Sequence, residues 1–359
     1  MKTTPLHEQH QNLGARMGEF GGWDMPIQYA GILQEHEQTR SRASVFDICH
    51  MGEFELSGET ALQDLERLLT CNVATLAVGQ VRYGFMLDED GGVIDDLTCY
   101  RMEKERYMLV VNAGTAEKDA EWIKSRISEK TSFIDLSSRL AKLDVQGPKS
   151  REVLEDVFGC TLPDLGYFRF KELDASHASC ILSRTGYTGE WGYEIYLPNE
   201  HAGELWNKLI AHQLCEPGGL GARDTLRLEM GYPLYGHELS ASRTPVATSR
   251  GMFIDMDKGF IGRENVLADL DDPEVLLVGL KFTSKRAARE HDKIYFKDIE
   301  VGEVTSGSVA PSLGAAVAMA FVEPEFAECG RVLDVEIRGK RFPAEVTDLP
   351  FYKKGTARG

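Results

Sequence analysis

The sequence predicts an α+β protein with more than one domain, whose last part is a small antiparallel β-barrel or sandwich. Its 359 residues exceed two typical domains of about 100 to 200 residues each. Up to about residue 270, strand-like and helix-like hydrophobic patterns follow one another in mixed order. Beyond that point, short alternating runs are separated by glycine turns, which is typical of small antiparallel sheets.

The individual elements follow from hydrophobic spacing, since helices and strands repeat with different periods. The predicted helices span residues 32–42, 60–70, 116–127 and 222–230. The predicted strands span residues 52–56, 93–100, 107–112, 140–146, 180–184, 193–197, 276–282, 332–337 and 342–346. The acidic, proline-containing segment 269–274 predicts a linker, with a domain boundary near residue 272.

Charge and cysteine usage restrict the class of protein. A net charge of −17 repels nucleic-acid phosphates and anionic lipid heads, so nucleic-acid and membrane partners are disfavoured. The seven cysteines are scattered and form no C-x-x-C pair, which argues against a disulfide framework and against a thiolate metal site. Because the N-terminus lacks a signal pattern and no apolar run reaches about 20 residues, we predict a cytoplasmic protein.

No metal site is predicted. Asp88 and Asp90 resemble part of a calcium loop, but the ligand spacing then fails and no Glu stands at the twelfth position. His7 and His10 are one residue closer together than the histidines of the zinc motif H-E-x-x-H. Calcium binding is therefore rejected, and the two histidines are expected to be ordinary surface residues.

The pair Asp95 and Asp96 is the first candidate for chemistry. In the strand predicted at 93–100, the two-residue period places Asp96 with Ile94 on one face and Asp95 with Val93 on the other. Both faces are partly apolar, so at least one carboxylate is expected to be buried, where it needs a hydrogen bond, a cation or a ligand. A local capping role at a turn or strand end is the alternative.

Arg223 is the second candidate, because it falls in the first turn of a predicted helix, where a cation opposes the helix dipole. In one interpretation, Asp224 and Glu229 form structural ion pairs with Arg223 and Arg227. In the other, Arg223 and the helix amides bind an anionic group such as a carboxylate. The glycines before it match no phosphate fingerprint, since no Lys-Ser/Thr follows and no strand clearly precedes residues 219–221. Nucleotide binding is therefore excluded.

Tyr187, Glu190 and Glu194 surround a glycine turn and form the third candidate group. They are typical of a simple hairpin with solvated carboxylates. However, Glu194 lies inside a strand-like run, where a carboxylate can accept paired N–H donors from a heterocycle. Both interpretations stay open on the pattern alone.

A series of short motifs runs along nearly the whole chain. The motifs are Gly22-Trp23-Asp24-Met25-Pro26, His50-Met51-Gly52, Gly91-Gly92-Val93-Ile94-Asp95-Asp96-Leu97, Val111-Asn112-Ala113, Gln146-Gly147-Pro148, Arg184-Thr185-Gly186-Tyr187-Thr188-Gly189-Glu190, Gly219-Leu220-Gly221-Ala222-Arg223-Asp224, Phe260-Ile261-Gly262-Arg263-Glu264 and Pro350-Phe351-Tyr352. With these motifs in this order, the sequence resembles the T-proteins, the aminomethyltransferases of the glycine cleavage system.

The resemblance implies a three-domain cloverleaf with tetrahydrofolate in a central cavity. The implied domains are residues 1–51 with 136–271, residues 52–135, and a barrel at 272–359. The implied reaction splits an aminomethyl group on the lipoyl arm of H-protein. Ammonia leaves and the one-carbon unit becomes 5,10-methylenetetrahydrofolate, with no metal and no redox cofactor.

The resemblance also implies roles for single residues. Asp96 would hold the reacting side of the folate, while Glu194 and Tyr187 would hold the pterin. The further residues implied to bind folate are Met51, Tyr83 and Asn112 in the cavity wall, Arg223 as a folate or lipoyl contact, and Tyr352 and Arg358 from the C-terminal tail.

One segment departs from the family pattern. Where the family reads Thr-Pro, one residue, then Glu-Ala-Gly-Leu-Gly, this chain has Thr244-Pro245-Val246-Ala247-Thr248-Ser249-Arg250-Gly251. A tetrahydrofolate-dependent demethylase of a small methylated compound is therefore one alternative. A non-enzymatic folate-binding protein of iron–sulfur maintenance is another, although the cysteine of its signature is missing after the Arg223 helix.

Overall fold

The structure is a computed structural model that describes residues 1–175 and 178–358. The α-helices of the described residues are α1 (His7–Asn12), α2 (Ile32–Ser41), α3 (Ala61–Leu68), α4 (Ala116–Lys124), α5 (Ser150–Phe158), α6 (Asn199–Ile210), α7 (Leu220–Glu229) and α8 (Arg263–Asp271). Among the described residues, no helix is both long enough and apolar enough to cross a membrane.

The strands supply a small N-terminal ribbon, two larger sheets and a barrel. They are β1 (Arg16–Phe20), β2 (Trp23–Gln28), β3 (Ala43–Asp47), β4 (Gly52–Ser57), β5 (Val81–Leu87), β6 (Val93–Glu103), β7 (Arg106–Val111), β8 (Ser132–Asp135), β9 (Leu140–Gln146), β10 (Phe170–Ala175), β11 (Ala178–Ser183), β12 (Gly192–Pro198), β13 (Cys215–Gly218), β14 (Leu276–Phe282), β15 (Lys293–Phe296), β16 (Ile299–Ala310), β17 (Ala315–Val322), β18 (Val332–Ile337) and β19 (Lys340–Thr347).

The six-stranded sheet has the order β10-β11-β12-β9-β3-β13 and is antiparallel except at its β3–β13 edge. Helices α5 and α6 pack against it through a core that includes Leu143, Val145 and the fully buried Trp206. The sequence analysis missed β13, because a Cys-Glu-Pro-Gly run carries no strand pattern. A strand does precede residues 219–221, which corrects the prediction, although the missing Lys-Ser/Thr still argues against a phosphate loop.

The five-stranded sheet has the order β5-β6-β7-β4-β8 and is antiparallel throughout. Helices α3 and α4 cover one of its faces, where Leu65 and Ile123 join the core. Strand β6 lies in the interior of this sheet, between β5 and β7. Its side chains therefore point either into this core or towards the opposite face.

A bulge in the β5–β6 pair changes the predicted alternation at the start of β6. The register shifts between Met86 and Leu87, so Val93 joins the cluster of Phe85, and Ile94 joins the helix-side core. The assignment of Val93 and Ile94 to their faces was therefore wrong, because one extra residue inverts the side-chain direction. From Asp95 onward, the predicted alternation holds.

The last part of the chain closes into a six-stranded antiparallel barrel with the order β14-β17-β16-β15-β18-β19. Its interior is filled by Leu280, Val304 and Val335, all fully buried. Three small residues of β17, Ala316, Ala318 and Ala320, belong to the same buried core. The predicted α+β class with a C-terminal barrel is confirmed.

Candidate active site

Two adjoining cavities of about 670 and 880 Å³ lie among the two sheets, helix α7 and the barrel. Each is large enough for a drug-sized ligand. We call the first the central cavity and the second the side cavity. The residues that line both are Tyr83, Asp96, Phe168, Gly186, Tyr187 and Pro233. Asp96 therefore lies where the two cavities meet.

Most of the predicted site residues come together here. The predicted residues that line the central cavity are Met51, Tyr83, Asp96, Asn112, Tyr187, Glu194 and Arg223. Arg358 lines the side cavity. Tyr352 lines neither cavity, because its ring packs against the guanidinium of Arg40, 4.1 Å from ring centroid to Cζ.

Asp96 is held by its two neighbouring strands. The Tyr83 hydroxyl donates to Oδ2 of Asp96 at 2.9 Å, and Nδ2 of Asn112 donates to Oδ1 at 2.9 Å. Burial, followed by the charge of Asp95, raises the pKa of Asp96 to about 7 in spite of these donors. A carboxyl group with a pKa near neutrality, held by fixed donors, is suited to proton transfer and to stabilising positive charge.

Asp95 points away from the cavity and is fully buried. It accepts hydrogen bonds from the backbone N–H of Asn112 at 2.9 Å and from Nδ2 of Asn112 at 2.8 Å. Burial, followed by the charge of Asp119 on α4, raises the pKa of Asp95 well above its ordinary value. Of the two adjacent aspartates, only Asp96 lines the central cavity.

Glu194 lies on β12 and presents one carboxylate oxygen to protein hydroxyls. Its Oε2 accepts from Thr185 at 2.8 Å and from Tyr196 at 3.1 Å. Burial alone would raise the pKa of Glu194, but the charges of Lys142 and Arg223 hold it below its ordinary value. Its Oε1 accepts no hydrogen bond from the described residues, so one oxygen of this carboxylate remains available to a donor in the cavity.

Arg223, on α7, forms an ion pair with the fully buried carboxylate of Asp144 on β9. The structural partners considered from the sequence are engaged elsewhere: Asp224 pairs with Arg227, and Glu229 pairs with Arg40. The structural interpretation was therefore right about the pairing of Asp224 with Arg227 and wrong about the partner of Arg223, which is Asp144. Arg223 also lines the central cavity.

The loop that carries Tyr187 is held by the C-terminal tail. The Tyr187 ring stacks on Tyr232 at a centroid distance of 5.7 Å. The backbone N–H of Ala357 donates to the Gly189 carbonyl at 3.0 Å, and the Thr356 hydroxyl donates to Glu190 at 2.7 Å. Glu190, one of the candidate residues, therefore binds the tail instead of the cavity.

Two buried groups at the cavity were missed by the sequence analysis. Lys142, only 1% exposed, lies 3.8 Å from Glu194 between Nζ and Oε2. His50 lines the same cavity, its Nδ1 has no partner among the described residues, and burial lowers its pKa to about 4. A lysine within the apolar run 140–146 was the signal for the first of them. Among the described residues, no group of His, Cys, Asp and Glu side chains is arranged to hold a metal ion.

Sequence models of two known domain families match this chain, one over its N-terminal part and one over its C-terminal part. The sequence model of the GCVT N-terminal domain matches residues 6–258. That of the glycine cleavage T-protein C-terminal barrel domain matches residues 276–353. The chain belongs to the glycine cleavage T-protein family. Together these matches include both large sheets and all six strands of the barrel.

Individual relatives are similar to this chain over nearly their full length. The aminomethyltransferases of Desulfitobacterium hafniense, Chloroherpeton thalassium and Bacillus cereus (strain AH187) are 41%, 40% and 38% identical, with 99% of each chain covered. The crystal structure of the glycine cleavage system aminomethyltransferase T from Bartonella henselae superposes with a TM-score of 0.94 at 35% identity, covering 99% of both chains. The predicted T-protein function and enzyme class are thereby confirmed. The demethylase and iron–sulfur maintenance alternatives are not favoured.

Proposed function

We propose that the two adjoining cavities carry out aminomethyl transfer between two substrates that meet at Asp96. The donor is an aminomethyl group on the lipoyl arm of H-protein, and the acceptor is tetrahydrofolate. The products are ammonia, 5,10-methylenetetrahydrofolate and dihydrolipoyl H-protein, which makes the reaction a step of glycine breakdown. The position of Asp96 at the junction of the two cavities is the observation that carries the proposal.

The lining groups fit a folate. A pterin edge is rich in N–H donors, and Glu194 offers an unoccupied Oε1 acceptor at the cavity wall. The Tyr187 ring offers a flat apolar surface in the same wall. Arg358, exposed at the side cavity, forms no hydrogen bond or ion pair with another described residue and is available to the folate carboxylates.

Asp96 performs the central chemical role. The C–N bond of the aminomethyl group breaks with its electron pair on nitrogen, and two new C–N bonds form to the folate. The carbon–sulfur bond breaks, and the protons displaced from the two folate nitrogens end on sulfur and on ammonia. Through these changes the Asp96 carboxylate stabilises the positive charge on the one-carbon unit and orients the attacking N–H.

A reconstituted assay tests this proposal. H-protein loaded from glycine by P-protein is mixed with tetrahydrofolate and this chain, and methylenetetrahydrofolate and ammonia are quantified. Asp96→Asn keeps the size of the side chain but removes its charge, so single-turnover formation of product is expected to fall by about 10²-fold or more. Folate affinity is expected to fall much less. Product formed only from a small methylated donor would contradict the proposal.

Domain boundaries and location belong to the same proposal. We propose the divisions 1–51 with 136–271, 52–135, and 272–359, supported by the five-stranded sheet, whose strands all lie within residues 52–135. A cytoplasmic location is supported by the seven cysteines, all of which are free thiols. Limited proteolysis that cuts first near residue 272 is the expected check of the last boundary.

A further inference from the structure

The side-chain amide of Asn112 has only one possible orientation. Its Nδ2 lies 2.8 Å from Oδ1 of Asp95, 2.9 Å from Oδ1 of Asp96 and 3.1 Å from the Asp96 carbonyl oxygen. A backbone carbonyl oxygen only accepts hydrogen bonds, so the end of the amide facing it must be the NH₂ group. The other end, Oδ1, accepts no hydrogen bond from a described residue, and Asn112 lines the central cavity.

Asp95 holds this orientation at two points. Its Oδ2 accepts the backbone N–H of Asn112, and its Oδ1 accepts one hydrogen of the side-chain NH₂. These two hydrogen bonds to one carboxyl group fix both the backbone and the side-chain torsions of Asn112. The remaining hydrogen of the NH₂ group is directed to Asp96.

Asp119 is a second buried carboxyl group close to Asp95. It lies on α4, is fully buried like Asp95, and its charge raises the pKa of Asp95, while neither of its oxygens has a hydrogen-bond partner among the described residues. A buried pair of carboxyl groups without a cation keeps one proton. Asp95 and Asp119 form such a pair, and within it only the Asp95 oxygens accept hydrogen bonds from Asn112.

We infer that Asp95 is a positioning residue for aminomethyl transfer: it locks the Asn112 amide so that the Asn112 carbonyl oxygen and the Asp96 carboxylate together receive the nitrogen that leaves as ammonia. The inference rests on the proposed function. A leaving amine carries several N–H bonds, so adjacent acceptors hold it, whereas an NH₂ group turned into the cavity would repel it. In the reverse reaction, ammonia must enter through the same place.

The reverse reaction supplies the test. Methylenetetrahydrofolate, dihydrolipoyl H-protein and ammonium are varied separately, and a KM is measured for each. Asp95→Asn cannot accept both Asn112 hydrogens, so KM for ammonium is expected to rise about 10-fold, the effect of about one hydrogen bond. KM for methylenetetrahydrofolate is expected to change less than about twofold, because the pterin contacts are made elsewhere.

Asp64→Asn is the matched control. Asp64 is also a buried aspartate of the same sheet region, and its Oδ2 accepts from Ser128 at 3.0 Å and from Thr131 at 2.6 Å. It lines neither cavity, so its variant is expected to lose stability without moving KM for ammonium. An unchanged KM for ammonium in Asp95→Asn, or an equal rise for both substrates, would overturn the inference.

A second measurement covers the case in which Asp95→Asn does not fold. The exchange of the two side-chain NH₂ protons of Asn112 with solvent is measured by NMR in ¹⁵N-labelled wild-type protein. Their signals are identified by their loss in Asn112→Ser. Both protons are expected to exchange slowly, because both are bound to carboxyl groups. Fast exchange of either proton would overturn the inference. A wild-type chain that forms no methylenetetrahydrofolate would instead overturn the proposed function, while the NMR result would still report the orientation of Asn112.

Discussion

Arg223 and Asp144 form an ion pair between helix α7 and strand β9, and Arg223 lines the central cavity. The guanidinium group also lies over the Tyr187 ring, with Cζ 5.1 Å from the ring centroid. Asp144 is fully buried, so its charge depends on Arg223 for compensation. One cation therefore supports the fold and lines the proposed substrate site at the same time.

Arg223→Ala is expected to weaken folate or donor binding and also to destabilise the protein by about 2 kcal/mol, because the Asp144 carboxyl group is left buried without its partner. The double variant Arg223→Ala/Asp144→Asn is expected to recover most of the stability but none of the binding. Thermal melting and folate titration separate the two effects. Full binding in the double variant would limit Arg223 to a structural role.

Tyr83→Phe is expected to move the pH dependence of turnover. The Tyr83 hydroxyl lowers the pKa of Asp96, which is about 7 in the wild type. In the proposed role the ionised form of Asp96 is the active one, so kcat is expected to rise with pH through that value. Loss of the hydroxyl raises the pKa and is expected to shift the acid limb upward by roughly 0.5 to 1 pH unit. Tyr235→Phe is the control, since the Tyr235 hydroxyl donates to the Val93 carbonyl at 3.2 Å. An acid limb at the same pH in both variants would contradict this role of Tyr83.

Glu53→Gln is expected to stabilise the protein at alkaline pH. Glu53 is 1% exposed, neither carboxylate oxygen has a partner among the described residues, and burial raises its pKa to about 8. A raised pKa means that the folded state binds the proton more tightly, so Glu53 makes the free energy of unfolding fall as pH rises from about 4.5 to 8. The variant is expected to gain at least about 1 kcal/mol at pH 9.

The matched control for Glu53 is Glu55→Gln on the same strand, where the carboxylate is paired with Arg106 at 3.2 Å. It is expected to leave the alkaline stability unchanged or slightly lower. Urea unfolding at pH 5, 7 and 9 follows all three proteins. If the free energy of unfolding changes with pH equally in the wild type and in Glu53→Gln, Glu53 is not the titrating group.

Arg358→Ala is expected to weaken folate binding about fivefold without a change in melting temperature, because an exposed arginine without internal partners contributes little to stability. Lys354→Ala, another exposed cation of the tail, is the control and lines neither cavity. Isothermal titration with tetrahydrofolate measures both. Equal affinities in the two variants would remove Arg358 from the site.

Lys285→Glu is expected to raise KM for H-protein several-fold at low salt and less at high salt. Lys285, Arg286 and Arg289 lie in one loop of the barrel domain, and the end of this loop, residues 289–291, lines the central cavity. On a chain with a net charge of −17, such a loop favours the approach of an acidic carrier. An unchanged KM at low salt would place H-protein docking elsewhere.

The sequence alone determined the type of most elements and the opposed directions of the aspartate pair. Alternation in β6 separated Asp95 from Asp96 without any knowledge of neighbouring strands, because successive side chains of a strand point to opposite faces. Hydrophobic spacing likewise located α2, α3, α4 and α7 to within a few residues. These features depend on local periodicity, which the chain carries at every position.

Only the tertiary structure decided which partners meet. Arg223 pairs with Asp144, 79 residues earlier, and the bulge opposite Met86 exchanged the faces of Val93 and Ile94. Tyr352 packs against Arg40 and lines neither cavity. Each outcome depends on how distant segments pack and on which buried charge needs compensation, and such long-range contacts leave no periodic signal in the sequence.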